Sequence, residues 1–155
     1  SAVNYNSPGQ VVIAGAKAAV ERAIEGCKAR GAKRAMPLPV SVPSHCELMR
    51  PAAERFAESI AAIDWQAPQI PVVQNVSAQV PADLETLKRD LLEQLYKPVR
   101  WVESVQTLAA KGATSLVECG PGKVLAGLNK RCAEGVSTSN LNTPDAFAAA
   151  RAALA

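Results

Sequence analysis

The chain contains a single histidine, few aromatic residues and no closely spaced cysteines. Aromatic residues make up 4% of its 155 residues, and no basic run is interleaved with them, so platforms for stacking single-stranded nucleic acid are absent. The net charge of +3 is too small for a nucleic-acid binder but suits acidic ligands. We therefore expect partners that carry a few phosphates or an acidic surface, and no nucleic acid.

The cysteine pattern is not that of a disulfide framework or a metal site. Cys27, Cys46, Cys119 and Cys132 lie far apart, with no C-x-x-C pair, which is typical of reduced thiols in a cytoplasmic protein. With one histidine and no clustered cysteines, we expect no metal site. No signal segment is recognisable, and no apolar run reaches the roughly 20 residues needed to span a bilayer, so we expect no membrane association.

The first 41 residues alternate between extended and helical patterns. The stretch NYNSPG reads as a polar turn, and residues 10–14 read as a short buried strand. Residues 16–30 have helical spacing and stop at Gly31, a residue that commonly terminates helices. The following run KRAMPLPVSV contains two prolines and predicts an edge strand. Strand, helix and strand on this scale are half of a ferredoxin-like subdomain.

The rest of the chain alternates helices with short strands. Residues 46–63 predict a helix that is regular after Met49, and IPVVQNVSA predicts a strand. Two helices are predicted over residues 83–96 and 98–110. The stretches ATSLVECG and GVSTSNLN then each predict a strand that leads into a helix. Such alternation indicates a mainly parallel α/β sheet.

His45 is the strongest candidate for chemistry, although a lone histidine is more often structural or merely exposed. It stands at a loop-to-helix junction, where the helix N-terminus favours a neutral imidazole that can act as a base. A base needs a nucleophile, and no G-x-S-x-G serine elbow is present. Cys46 is adjacent to the histidine in sequence and is poorly placed for this role. Buried structural thiols are the better interpretation of Cys46, Cys119 and Cys132.

Two further stretches have both a functional and a structural interpretation. CGPGKVL places two glycines between a strand and a helix, like a phosphate-binding loop, but it lacks the established phosphate-binding spacings. A tight turn explains it without a ligand. Lys33 and Arg34 could meet phosphate or acidic side chains if they border a cleft, and a solvated charge pair is the alternative.

Four stretches together resemble the bacterial malonyl-CoA:acyl carrier protein transacylases of type II fatty acid synthesis. They are NYNSPGQVVIAG, GAKRAMPLPVSVPSHCELMRPAAERF, QLYKPVRW and ECGPGKVLAGL. The resemblance implies an α/β fold in two parts. Residues 1–41 would be the C-terminal half of a ferredoxin-like small subdomain. Residues 42–155 would be the C-terminal part of an α/β-hydrolase-like acyltransferase core with a parallel sheet.

The resemblance also assigns roles to individual residues. His45 stands at the position of the family's catalytic base, and the backbone carbonyl at Gln94 would orient it. The remaining matches are to substrate-binding positions. Asn4, Asn6 and Gln10 would line the cleft, and Lys33 and Arg34 would meet coenzyme A phosphates or the acidic carrier protein.

The family's serine elbow, its G-Q-G-S-Q segment and its malonyl-binding arginine have no counterpart here. We therefore expect the C-terminal half of a transacylase, inactive alone, which works by a ping-pong Ser-His mechanism with the N-terminal half as its partner. No cofactor is expected beyond malonyl-CoA, a coenzyme A thioester, and the phosphopantetheine of acyl carrier protein. Two alternatives remain, namely a polyketide-synthase-type acyltransferase with another extender unit and a non-catalytic module that binds carrier protein.

Overall fold

A computed structural model describes residues 1–154 of the chain, and the fold is mixed α/β. Four strands form two small sheets, and a short 3-10 helix, Glu47–Met49, precedes α2. The elements are β1 (Ala2–Ser7), β2 (Gln10–Ile13), α1 (Lys17–Ala29), α2 (Arg50–Ala61), α3 (Leu84–Glu93), α4 (Trp101–Ala110), β3 (Ser115–Glu118), α5 (Val124–Asn129), β4 (Ser137–Asn140) and α6 (Pro144–Leu154).

The chain opens with an antiparallel hairpin of β1 and β2. Only Pro8 and Gly9 of the stretch NYNSPG form the turn, and Gly9 has a φ of +76°. The other edge of β1 meets Val99, whose carbonyl accepts the Tyr5 N–H at 2.9 Å and whose N–H donates to Val3 O at 2.8 Å. The prediction of a polar turn here is wrong, because pairing on both edges stabilises a strand of polar composition.

The proline-spaced run after α1 is not a strand. α1 ends as predicted, with Gly31 at a φ of +84° and its N–H donating to Lys28 O at 3.0 Å. Beyond it the backbone makes short local bonds, such as Val40 N–H to Leu38 O at 2.8 Å. The prolines there cannot donate to a sheet ladder. The predicted strand–helix–strand order is therefore a hairpin followed by a helix.

The predicted strand IPVVQNVSA is a loop that closes in a turn. Ala78 adopts a left-handed φ of +56°, and its N–H donates to Gln74 O at 2.8 Å. The Gln74 N–H donates to Gln79 O at 2.9 Å, so the backbone bonds within the segment. These bonds occupy the N–H groups of Gln74 and Ala78, and Asn75 O accepts the Arg100 N–H at 2.8 Å, so no strand ladder forms over the segment.

The helices α2 and α3 contact each other and begin with recognisable signals. Pro51 lies in the first turn of α2, where its missing N–H has no cost. Asp83 caps α3 by accepting the Thr86 N–H at 2.6 Å. Each helix buries an apolar side chain, Ile60 in α2 and Leu87 in α3.

The C-terminal part contains the parallel pair predicted from sequence. β3 and β4 pair in parallel with Leu116 opposite Thr138, and α5 connects them. α5 contacts β1, β3 and β4, α4 also packs on β1, and α6 packs on β4. Val105 of α4 is 1% exposed and is the most buried large side chain in the part of the chain that the structure describes. No helix within that part is long and apolar enough to cross a membrane.

Candidate functional site: a histidine bonded to the end of a helix

His45 bonds to the last turn of α3 through both its backbone and its ring. Its N–H donates to Leu95 O at 3.0 Å, and its Nδ1 lies 2.6 Å from Gln94 O. The residue is half-buried, and its φ is +62°, a left-handed value that histidine tolerates better than most residues. Two bonds to consecutive carbonyls hold this backbone conformation just before the 3-10 helix Glu47–Met49.

The Gln94 carbonyl is available because α3 ends there. Gln94 is the C-cap of the helix, and its own N–H donates to Asp90 O at 3.0 Å. Carbonyls in the last helical turn lack an intrahelical donor. Because a carbonyl oxygen can only accept, a neutral imidazole in this position carries its proton on Nδ1. Nε2 is then unprotonated and can accept a proton from a reacting group.

Cys46 follows the histidine but is structural in character. It is 4% exposed, and its Sγ–H donates to Pro43 O at 3.1 Å. The thiol therefore lies next to His45 in sequence, but it is buried and bonds to a backbone carbonyl. The interpretation as a buried thiol also holds for Cys132, whose thiol pKa is raised by burial. It is wrong for Cys119, which is exposed because it follows the last residue of β3.

A second link between these two segments was not found from the sequence. The Arg50 guanidinium lies 4.1 Å from the centre of the Tyr96 ring. It also donates from Nε and Nη2 to the Glu47 carboxylate at 2.7 and 2.9 Å. That pairing holds the pKa of Glu47 below its usual value and raises that of Arg50. The E-x-x-R spacing signals the ion pair, whereas the contact with Tyr96 has no signal in the local sequence.

The predicted cleft residues Asn4, Asn6 and Gln10 lie on the N-terminal hairpin. Asn4 and Asn6 are half-buried in β1, and Gln10 is exposed at the start of β2. The Gln10 side chain accepts from Arg131 Nη2 at 2.8 Å. Asn6 O lies 3.5 Å from the Cys132 sulfur. The structure thus brings this hairpin to the end of α5 and adds Arg131 to the polar groups there.

Lys33 and Arg34 lie apart from this arrangement. Both are exposed, and the Arg34 Nε contacts Met36 Sδ at 3.0 Å. Among the hydrogen bonds and ion pairs of residues 1–154, none joins either cation to the histidine or to the hairpin amides. They therefore form a separate positive position on the surface after α1.

Comparisons with known proteins identify the family. The sequence model of the acyl transferase domain family matches residues 1–145 of this chain. The chain belongs to that family. The malonyl CoA-acyl carrier protein transacylase of Escherichia coli (strain K12) is 56% identical over 150 residues, which are 97% of this chain and 48% of the relative. The one from Bacillus subtilis (strain 168) is 48% identical over 92% of this chain and 45% of the relative.

Solved structures give the same relationship. The malonyl-CoA:acyl carrier protein transacylase of Xanthomonas oryzae superposes with a TM-score of 0.95 at 50% identity, covering 98% of this chain and 48% of that one. The solved complex of a type II PKS acyl-carrier protein with its malonyl-transacylase contains a chain that superposes with a TM-score of 0.93 at 51% identity. The match covers 97% of this chain and 48% of that one. The chain spans about half the length of the curated relatives it matches. The resemblance read from the sequence motifs is confirmed.

In this acyl transferase domain, the glycine turn CGPGKVL leads into α5, whose first turn bonds to a side chain of the protein. Glu118 Oε2 accepts the Ala126 N–H in the first turn of α5 at 2.8 Å, so a side chain of the protein already bonds one of the free N–H groups there. Residues 1–154 contain no group of three or more His, Cys, Asp or Glu side chains that could hold a metal ion.

Proposed function

We propose that this chain is the C-terminal portion of a malonyl-CoA:acyl carrier protein transacylase and supplies the base of its Ser-His pair. The observation that carries the proposal is the 2.6 Å contact between His45 Nδ1 and Gln94 O, because it fixes the tautomer that a base needs. Identity of 56% to a curated transacylase over 97% of the chain supports the substrate class. The serine nucleophile would come from the other half of the enzyme.

The proposed reaction proceeds in two symmetrical steps. In the first, His45 Nε2 takes the serine proton while the hydroxyl oxygen attacks the malonyl thioester, and the imidazolium then protonates the departing coenzyme A sulfur. In the second, His45 takes the proton of the phosphopantetheine thiol, whose sulfur attacks the malonyl-serine ester, and the serine oxygen regains a proton. The Gln94 carbonyl stabilises the imidazolium in both steps because Nδ1–H donates to it throughout.

The other predicted site residues would bind the substrates. Asn4, Asn6 and Gln10 lie on the hairpin that reaches the end of α5, so they would face the cleft that holds the acyl and pantetheine groups. Lys33 and Arg34 are exposed cations and would meet coenzyme A phosphates or the acidic surface of the carrier protein.

The two-part architecture predicted from the resemblance belongs to the same proposal. Residues 42–155 would form part of an α/β-hydrolase-like core, which the parallel β3–α5–β4 unit supports. Residues 1–41 would complete a ferredoxin-like small subdomain. Several apolar side chains would be covered by the other half of the enzyme. They include Ile70 at 77%, Val124 at 70% and Val40 at 68% exposure.

The proposal is tested by reconstitution with an N-terminal half that carries the serine elbow. We expect no malonyl transfer by this chain alone and transfer after the two halves are mixed. His45→Gln should then lower kcat by about 10²- to 10⁴-fold, as loss of a general base does. Arg55→Ala, an exposed change on α2, serves as the control. Turnover by the isolated chain, or full activity of His45→Gln, would show that the assignment is wrong.

A polyketide-synthase-type acyltransferase with another extender unit is the second candidate, because one similar solved structure, although itself a malonyl-transacylase, is in complex with a type II PKS acyl-carrier protein. Competition between malonyl and methylmalonyl thioesters on the reconstituted enzyme separates the two activities. Preference for methylmalonyl would favour this candidate. A non-catalytic carrier-protein module would instead tolerate His45→Gln and lose binding when Lys33 and Arg34 are both changed to glutamate.

A further inference from the structure

Arg50 connects the two segments that hold the histidine. Along the chain it lies shortly after His45, and it is the first residue of α2. Tyr96, which it stacks on, directly follows the two residues whose carbonyls accept bonds from His45. The contact therefore closes a small ring that contains the Nδ1···Gln94 O bond.

Both sides of the guanidinium are held. Glu47 binds one edge through two hydrogen bonds of 2.7 and 2.9 Å, a bidentate geometry that fixes the plane of the group. The ring of Tyr96 lies against its face at 4.1 Å, within the range of cation–π attraction. Tyr96 is itself held in the turn that ends α3, since its N–H donates to Glu93 O at 3.1 Å.

We propose that Arg50, stacked on Tyr96 and paired with Glu47, is a positioning residue that keeps His45 Nδ1 within bonding distance of the Gln94 carbonyl. The inference rests on the proposed function for its catalytic meaning, because a base with Nε2 free is needed there. The geometric claim concerns the ring nitrogens alone and is measurable without any substrate. Loss of Arg50 lets the two segments separate, and the proton then distributes between Nδ1 and Nε2.

The chain is suited to this measurement because His45 is its only histidine. Long-range ¹H–¹⁵N correlation spectra show one pair of ring nitrogens, and their shifts give the ratio of the two neutral tautomers at alkaline pH. In the unchanged chain we expect the Nδ1–H form to predominate. Arg50→Ala should lower the ratio of Nδ1–H to Nε2–H about two- to five-fold, as expected for loss of a cation–π contact near the surface.

Further variants separate this role from a general loss of structure. Arg50→Lys keeps a cation but loses the bidentate fork and should restore only part of the ratio, and Tyr96→Phe keeps the ring and should leave it unchanged. Tyr96→Leu should lower it, with no further effect from Arg50→Ala in the same chain. The matched control is Arg55→Ala on the same helix. Because Arg50 has an exposed side chain, at 47%, its variants should fold, and circular dichroism checks this.

The outcomes are distinct. A tautomer ratio unchanged in Arg50→Ala, or lowered equally in Arg55→Ala, overturns the positioning role. A lowered ratio in Arg50→Ala and Tyr96→Leu, with partial rescue by lysine and no change in Arg55→Ala, establishes it even if malonyl transfer is never reconstituted, in which case only the proposed function fails. In a reconstituted enzyme, Arg50→Ala should lower kcat by the same factor and leave KM for malonyl-CoA unchanged.

Discussion

The hydrogen bond between Ser77 and Asp90 offers a quantitative test of how the turn after residue 73 is joined to α3. Ser77 Oγ–H donates to Asp90 Oδ2 at 2.7 Å, and the aspartate side chain is 5% exposed. Arg89 Nε lies 4.0 Å from Asp90 Oδ1, and the arginine side chain is 61% exposed, so water screens most of its attraction to the carboxylate. The serine hydroxyl is therefore the main partner of a buried carboxylate.

Ser77→Ala should lower the free energy of unfolding by about 1.5–3 kcal/mol, the range for a hydrogen bond to a charged group. With a urea dependence of about 2 kcal/mol per M for a small protein, the midpoint should fall by roughly 1 M. Tryptophan fluorescence follows the transition, because neither tryptophan is altered. Ser41→Ala is the matched control, since its residue is exposed in a loop and should change stability by less than about 0.5 kcal/mol.

A double-mutant cycle completes the test. Ser77→Ala combined with Asp90→Ala should cost less than the two single changes added together, because removing both partners leaves no buried group unpaired. If Ser77→Ala unfolds at the same urea concentration as the unchanged chain, the carboxylate does not depend on the hydroxyl and the reasoning is refuted.

Three other measurements follow from the structure. A disulfide reagent should react quickly with two thiols and slowly with the other two. Fast reaction of all four thiols would contradict the burial of the slow pair. The fast pair is Cys27 and Cys119 and the slow pair is Cys46 and Cys132. Glu118→Ala should destabilise the chain by about 1 kcal/mol through loss of its hydrogen bond to the Ala126 N–H of α5, with Glu118→Gln retaining most stability because its amide oxygen still accepts. The Thr86 N–H lowers the pKa of Asp83. The stability that Asp83→Ala removes is therefore present above the unfolded pKa of about 3.9 and is lost as the pH falls through the lower folded pKa. If the difference in melting temperature between Asp83→Ala and the unchanged chain stays constant from about pH 6 to about pH 2, this reasoning is contradicted.

Local pattern was sufficient for the helices and for the parallel pair. Apolar spacing, the glycine after α1 and the proline at the start of α2 are signals within a few residues of the element they define. The alternation that predicted a parallel sheet corresponds to β3, α5 and β4. The position of His45 just before a helical segment was also readable from the sequence.

The errors arose where distant backbone decides the structure. β1 is a strand because β2 and Val99 pair with its two edges, and its asparagines give no such signal. The run of residues 33–42 and the segment around Ala78 look extended in sequence but form no sheet ladder, and Asn75 instead accepts the N–H of the distant Arg100. The link from Arg50 to Tyr96 joins segments that only the tertiary fold brings together, so no spacing rule could have found it.

The pairing of β1 with Val99 has a consequence for how the protein is made. Asn4 and Val99 are bridged in the fold although about 95 residues separate them. At roughly 5–20 residues per second, a ribosome needs about 5–20 s to synthesise the second partner after the first. Throughout that interval one edge of β1 lies open to other chains. A nascent chain can therefore mispair at this edge of β1 until Val99 has been synthesised.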